Sequence, residues 1–118
     1  MDVLFLIKPD TLTKQLEVLK RLQEMVNVDK TIYIQLDEGT VKTLYKEHVG
    51  KWFFQRNLNY LISSRVFVCK VEAKDIQEAL DVKLLLRTEF GSETEIHKNS
   101  VHCSDSEEAA TYELSLFF

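Results

Sequence analysis

Apolar and polar residues change period along this chain, and the changes mark its elements. Residues 3–7, VLFLI, form an unbroken apolar run. That is the pattern of a central strand covered on both faces. Pro9 and Asp10 end it. Leu12, Leu16, Leu19, Leu22 and Val26 then recur at helical spacing, with Lys, Gln and Glu between them. In 31–38, Ile32, Ile34 and Leu36 alternate with Tyr33, Gln35 and Asp37, which predicts a half-buried strand stopped by Gly39. Residues 40–62 read as two short helices parted near Gly50. RVFVCKV (65–71) is a third strand, and 73–90 is helical, closed by Gly91. A polar loop fills 92–103. Ser104-x-x-Glu107 has capping-box spacing and predicts a short helix through Tyr112. ELSLFF (113–118) reads as a last strand. The order β-α-β-α-α-β-α-α-β fits one α+β domain over 1–118. Its expected form is a ferredoxin-like, four-stranded antiparallel sheet with helices packed against one face.

Composition narrows the function classes. The chain has 118 residues, 45% apolar and 29% charged, with one Pro and three Gly. That is ordinary globular composition, and a chain this long buries roughly two-thirds of its unfolded surface. No apolar run reaches the ~20 residues that span a bilayer, and MDVLFLIKPD lacks the basic start and cleavage site of a signal peptide. No membrane partner is therefore expected. Two cysteines, Cys69 and Cys103, make no disulfide framework, so a reducing cytoplasmic setting is expected. The net charge of −4 argues against non-specific nucleic-acid binding as the main task, and no specific nucleic-acid partner is expected. An anionic ligand would need a locally basic pocket.

Two stretches carry chemistry. FLIKPD ends a strand in Lys8-Pro9-Asp10, where a lysine can aim a point charge from the sheet. NSVHCSDS (99–106) places His102 and Cys103 in a polar turn, with YELSLFF behind it. Together they resemble the nucleoside diphosphate kinase family. Its chains open with a strand ending in Lys-Pro-Asp, set a histidine in Asn-x-x-His-Gly-Ser-Asp-Ser, and carry a glutamate eleven positions later. Glu113 stands at that spacing from His102. LYKEHVGKWFFQRNLNYLISS is similar to the family's middle stretch, and the likeness covers nearly the whole chain.

The resemblance implies a phosphotransferase that moves the γ-phosphate of a nucleoside triphosphate to a diphosphate through phosphohistidine, with Mg²⁺ as cofactor. It implies that His102 is the nucleophile, Glu113 orients its ring, and Lys8 contacts the transferred phosphate. Tyr45 matches the tyrosine near that lysine. Phe53 matches the ring on which the base stacks, with Phe54 buried behind it. Arg87, in LRTEFG, matches a phosphate-binding arginine, and Asn99 the asparagine that bonds the sugar. Ile96 would wall the other side of the base.

The departures are also specific. A second phosphate-binding arginine and a threonine-bearing loop have no counterpart between Val71 and Arg87. Lys83, one turn before Arg87, is the nearest basic substitute, with Arg65 and Lys98 farther off. Trp52 replaces a proline, Ser64-Arg65 a Gly-Pro, and Cys103 a glycine. The missing loop, and the family's usual continuation past 118, bear on assembly. They imply a homo-oligomer that stops at a dimer rather than a hexamer. Two other readings remain open. One is a degenerate member that binds nucleotides or protein without turnover. The other is a metal site on His97, His102 and Cys103, which lacks a fourth ligand and zinc spacing.

Overall fold

In the computed structural model, residues 1–92 and 98–118 are described. The chain runs β1 (Asp2–Ile7), α1 (Leu12–Met25), β2 (Asn27–Ile34), α2 (Glu38–Leu44), α3 (Phe54–Leu61), β3 (Val66–Glu72), α4 (Ile76–Phe90), β4 (Val101–Cys103) and α5 (Glu107–Ser115), with a 3-10 turn at Lys46–His48. The sheet order is β2-β3-β1-β4, and each pairing is antiparallel. This is the ferredoxin-like arrangement expected from the element order.

The helices cover both faces, which corrects the one-face expectation. Val3, Phe5 and Ile7 pack with Val18 and Leu22 of α1 and with Ala79, Val82 and Leu86 of α4. Leu4 and Leu6 pack with Val41 and Leu44 of α2 and with Leu58 and Leu61 of α3. Successive strand side chains point to opposite faces, so an unbroken apolar β1 demands a layer on each. Burial at 0–1% exposure from Val3 to Ile7 meets that demand.

The tail differs most from expectation. Residues 113–118 are not a strand: α5 runs to Ser115, and Leu114 and Phe117 pack on the second cluster at helical i, i+3 spacing. The fourth strand is instead the three residues Val101–Cys103, inside the supposed polar loop, and β1 recruits them. Ser106, not Ser104, caps α5 by accepting from Ala109 N at 3.0 Å. Ser104 is fully buried and has another role. Strand β2 also begins earlier than 31–38, because β3 pairs with it from Asn27 onward.

Two backbone features fix the approach to β4. A Cβ on Gly91 would lie 2.5 Å from the Arg87 carbonyl oxygen, so only glycine lets the chain close over the end of α4. Ser100 has φ +76° and Val101 N donates to Asn99 O at 3.1 Å, a γ-turn that costs backbone strain. Lys8 N donates to Ser100 O at 2.8 Å and holds this turn against the end of β1.

Candidate active site

His102 lies directly opposite Leu6 in the β1–β4 ladder. It therefore faces the α2–α3 layer, while its neighbours Val101 and Cys103 face α4. Its Nε2 is 2.7 Å from Glu113 Oε1, and both side chains are largely buried. The chain turns at 104–106 and runs back as α5, which brings a residue eleven positions later onto the ring. Ser104 Oγ donates to the same Glu113 oxygen at 3.3 Å and accepts from Leu4 N at 3.3 Å. One carboxylate oxygen thus holds both the imidazole and the strand. With Nε2 bound, Nδ1 is the ring nitrogen left for chemistry.

Tyr45 packs edge-on against His102, with ring centroids 5.0 Å apart. Its hydroxyl is buried with no partner among the described residues, and burial raises its pKa, so it stays protonated. His48 follows one 3-10 turn later, 6.2 Å from Tyr45 and 5.4 Å from Phe53 by ring centroids. Phe54 is buried and Phe53 is half-buried, as expected for an inner and an outer ring. Trp52 is 85% exposed and meets Phe53 edge-on.

Lys8 extends from the end of β1, two residues from Leu6 and so on the same face. It is buried at 4% exposure. Desolvation, and then the Arg87 charge, lower its pKa to about 7. Gln15 donates to its carbonyl at 3.1 Å. Arg87 comes from the last turn of α4, and its Nε and Nη2 both donate to Val101 O, at 3.1 and 3.0 Å. It therefore ties α4 to the residue before His102.

A cavity of about 520 Å³ opens beside the histidine, lined among others by Tyr45, Lys83, Arg87, His102 and Glu113. Lys8, Phe53 and Asn99 lie outside that lining. Asn99 Oδ1 is buried and has no partner among the described residues. Arg65 stacks its guanidinium on Tyr33 and Lys98 its ammonium on Tyr60, so neither lines the cavity. Ile96 and His97 lie outside the described residues. Two lining residues, Lys46 and His48, escape the sequence reading. Their signal is their place in the turn directly after Tyr45.

Cys103 does not obstruct the histidine, because strand alternation sends its thiol toward Ala79 O on α4. Burial pushes that thiol up to about 12, which leaves it no thiolate for nucleophilic work at neutral pH. Among the described residues no three His, Cys, Asp or Glu side chains converge as a metal site. The carboxylates Glu47, Asp105 and Glu108 do line the cavity. They suit a divalent cation that is carried in on phosphates rather than bound by a ligand cage.

A family model described as nucleoside diphosphate kinase matches residues 2–118. The nucleoside diphosphate kinase of Sulfolobus acidocaldarius is 32% identical over 125 residues, spanning 96% of this chain and 86% of that protein. That of Methanosphaera stadtmanae is 31% identical, spanning 96% and 82%. Among solved structures, the Aquifex aeolicus nucleoside diphosphate kinase superposes with a TM-score of 0.75 at 26% identity, covering 99% of this chain and 94% of that one. The Halobacterium salinarum enzyme in complex with CDP has a TM-score of 0.76 at 22% identity, covering 100% and 87%, a likeness of fold.

Proposed function

We propose, from the premise that this chain belongs to the nucleoside diphosphate kinase family and transfers a γ-phosphoryl group from a nucleoside triphosphate to a diphosphate, that His102 Nδ1 carries the group between the two half-reactions. The observation that carries this reading is the 2.7 Å contact of Nε2 with Glu113. It fixes the ring and leaves one nitrogen nucleophilic. In the first half, the Nδ1 lone pair bonds to the γ-phosphorus as the bond to the β–γ bridging oxygen breaks. The diphosphate leaves with that electron pair. The imidazole ring gains positive character, which the Glu113 carboxylate offsets. In the second half, a terminal oxygen of an acceptor diphosphate attacks phosphorus, and the P–N electrons return to the ring.

The remaining residues position charge, which is most of what phosphoryl transfer asks of a protein. Lys8 and Arg87 contact the transferred phosphate, and Lys83 stands in for the clamp residue missing from α4. Phe53 is the base platform, Tyr45 packs the ring side of His102, and Asn99 takes a donor such as a sugar hydroxyl on its buried oxygen. Glu47, Asp105 and Glu108 would face a Mg²⁺ carried on the nucleotide phosphates, and the ion would supply partial neutralisation of their charge. CDP in the halobacterial relative supports a nucleotide as the ligand here. The two free, buried thiols accord with a cytoplasmic setting. Among the described residues no helix is long and apolar enough to cross a membrane.

The test is ATP–ADP exchange together with the kinetics of transfer to a second diphosphate. Purified protein with Mg·ATP and labelled ADP is expected to exchange label between them. Kinetics with GDP as acceptor are expected to be ping-pong. ATP binding with no exchange would contradict the assignment.

Lys8 gives a pH prediction. Its ammonium is the form that binds phosphate, and its pKa in the free protein is about 7. The charged fraction is therefore lost as pH rises through 7. kcat/KM, which reports the free enzyme, is expected to fall above about pH 7. kcat at saturation should stay flatter, because bound phosphates raise the lysine again. Lys8→Arg is expected to remove the alkaline fall, and an unchanged profile would contradict this role.

The assembly is proposed to be a dimer. Sedimentation equilibrium at micromolar concentration is expected to give the mass of two chains, and a mass of six would contradict it.

A further inference from the structure

Lys46 is a cavity cation to which none of the motifs assigns a role. The cavity lining includes Lys46, Lys83 and Arg87. Lys83 and Arg87 come from α4, and Arg87 commits two of its N–H groups to Val101 O. Lys46 comes from another wall, the turn directly after Tyr45. Its ammonium sits 4.7 Å from the centroid of the Tyr112 ring on α5, which also lines the cavity. An exposed ammonium over a tyrosine face is held weakly. A phosphate oxygen offers it a charge-assisted hydrogen bond, which is stronger. The ring thus parks the cation at the mouth without neutralising it. Glu47, Asp105 and Glu108 share the lining, so the mouth carries both signs. A polyphosphate bearing a divalent cation satisfies both, whereas a bare anion would meet the carboxylates.

We propose that Lys46 is a phosphate-binding residue of this site, leaving the Tyr112 ring to grip the nucleotide polyphosphate from the wall apart from Lys83 and Arg87. This rests on the nucleotide-kinase reading of the cavity. It supplies, from a residue outside α4, a cation for the clamp that α4 only partly provides. Lys46 does not touch the histidine, so its effect falls on substrate affinity more than on the chemical step.

The experiment measures binding of Mg·ATP, Mg·ADP and adenosine to wild type, Lys46→Met, Lys46→Arg and Tyr112→Leu, at several salt concentrations. Lys46→Met is expected to weaken Mg·ATP by about 10-fold, the loss of one hydrogen bond to a charged group. It should weaken Mg·ADP less, leave adenosine unchanged, and make the salt dependence of ATP binding shallower. Lys46→Arg should recover most of the loss. Tyr112→Leu keeps the ammonium and should weaken ATP less than Lys46→Met does. Equal losses for ATP and adenosine, or a Tyr112→Leu that reproduces Lys46→Met, would show that the pair only props the wall and would overturn the proposal. So would an unchanged ATP affinity. Exchange activity measured on the same wild type separates the two failures. No exchange sinks the kinase reading, whereas exchange with a Lys46→Met that binds like wild type sinks only the role of Lys46.

Discussion

His102→Ala is expected to abolish phosphoryl transfer, with kcat lower by about 10⁴-fold or more, as when a nucleophile is removed from a group acting as a unit. Nucleotide binding is expected to survive, because base stacking on Phe53 and the cationic contacts do not use the imidazole. The substitution leaves Glu113 with the Ser104 hydroxyl as a partner, so the fold should persist. His102→Gln provides a check, since its amide can still donate to Glu113 while offering no nucleophile. Both variants should be equally inactive. Glu113→Ala is expected to slow transfer without abolishing it, because the carboxylate orients the ring and does not attack. Cys103→Ala is expected to transfer at the wild-type rate, its thiol being protonated and turned toward α4. Steady-state transfer to GDP reads all four. Activity surviving in His102→Ala would remove the histidine from the mechanism.

Arg87→Ala carries the second largest expected effect, a fall of about two orders of magnitude in kcat/KM. That is the usual loss for one preorganised donor at a developing charge. Two causes add. The guanidinium is lost to the phosphates, and the Val101 carbonyl, in a residue with no exposed surface, loses both of its donors. The strand that carries His102 is then held less firmly. Arg87→Lys should recover only part, since an ammonium cannot fork onto one carbonyl while also facing phosphate. Lys83→Ala should lose less than Arg87→Ala, a flexible ammonium being a poorer clamp than a planar guanidinium. Unchanged kinetics in Arg87→Ala would show that LRTEFG does not align with the family's phosphate-binding arginine.

How far the sequence alone leads varies along the chain. The β1 run declared itself because five consecutive apolar residues leave no solvent face, and the structure covers both sides. The same run argued against helices on one face only, a consequence the element order obscured. Strand β4 could not be read by periodicity: three residues contain too few alternations, and its pairing is set by β1 rather than by its own composition. ELSLFF misled because Leu114, Leu116 and Phe118 alternate, yet Leu116 and Phe118 are exposed while Leu114 and Phe117 are inward. The spacing of three was the correct period there. The misassignment left the His102–Glu113 pair intact, because the resemblance rests on the separation of eleven and not on the element holding the glutamate. The identity of the ring nitrogen was not legible at all. It depends on where α5 folds back, a matter of tertiary packing. Lys46 was hidden for a related reason, since a lysine in a helical hairpin carries no pattern until a cavity appears beside it.

The most direct measurement is the position of the phosphoryl group on the isolated phosphoenzyme. Protein is incubated with Mg·ATP and desalted at alkaline pH; one portion is mixed with GDP while still folded, and the other is denatured and examined by phosphorus NMR and by peptide mass spectrometry. The expected result is one acid-labile phosphoryl group, on His102 and on Nδ1, discharged by GDP with formation of GTP. Phosphate on Nε2 of His102, or on any other residue, would contradict the geometry in which Glu113 holds Nε2 and leaves Nδ1 to attack.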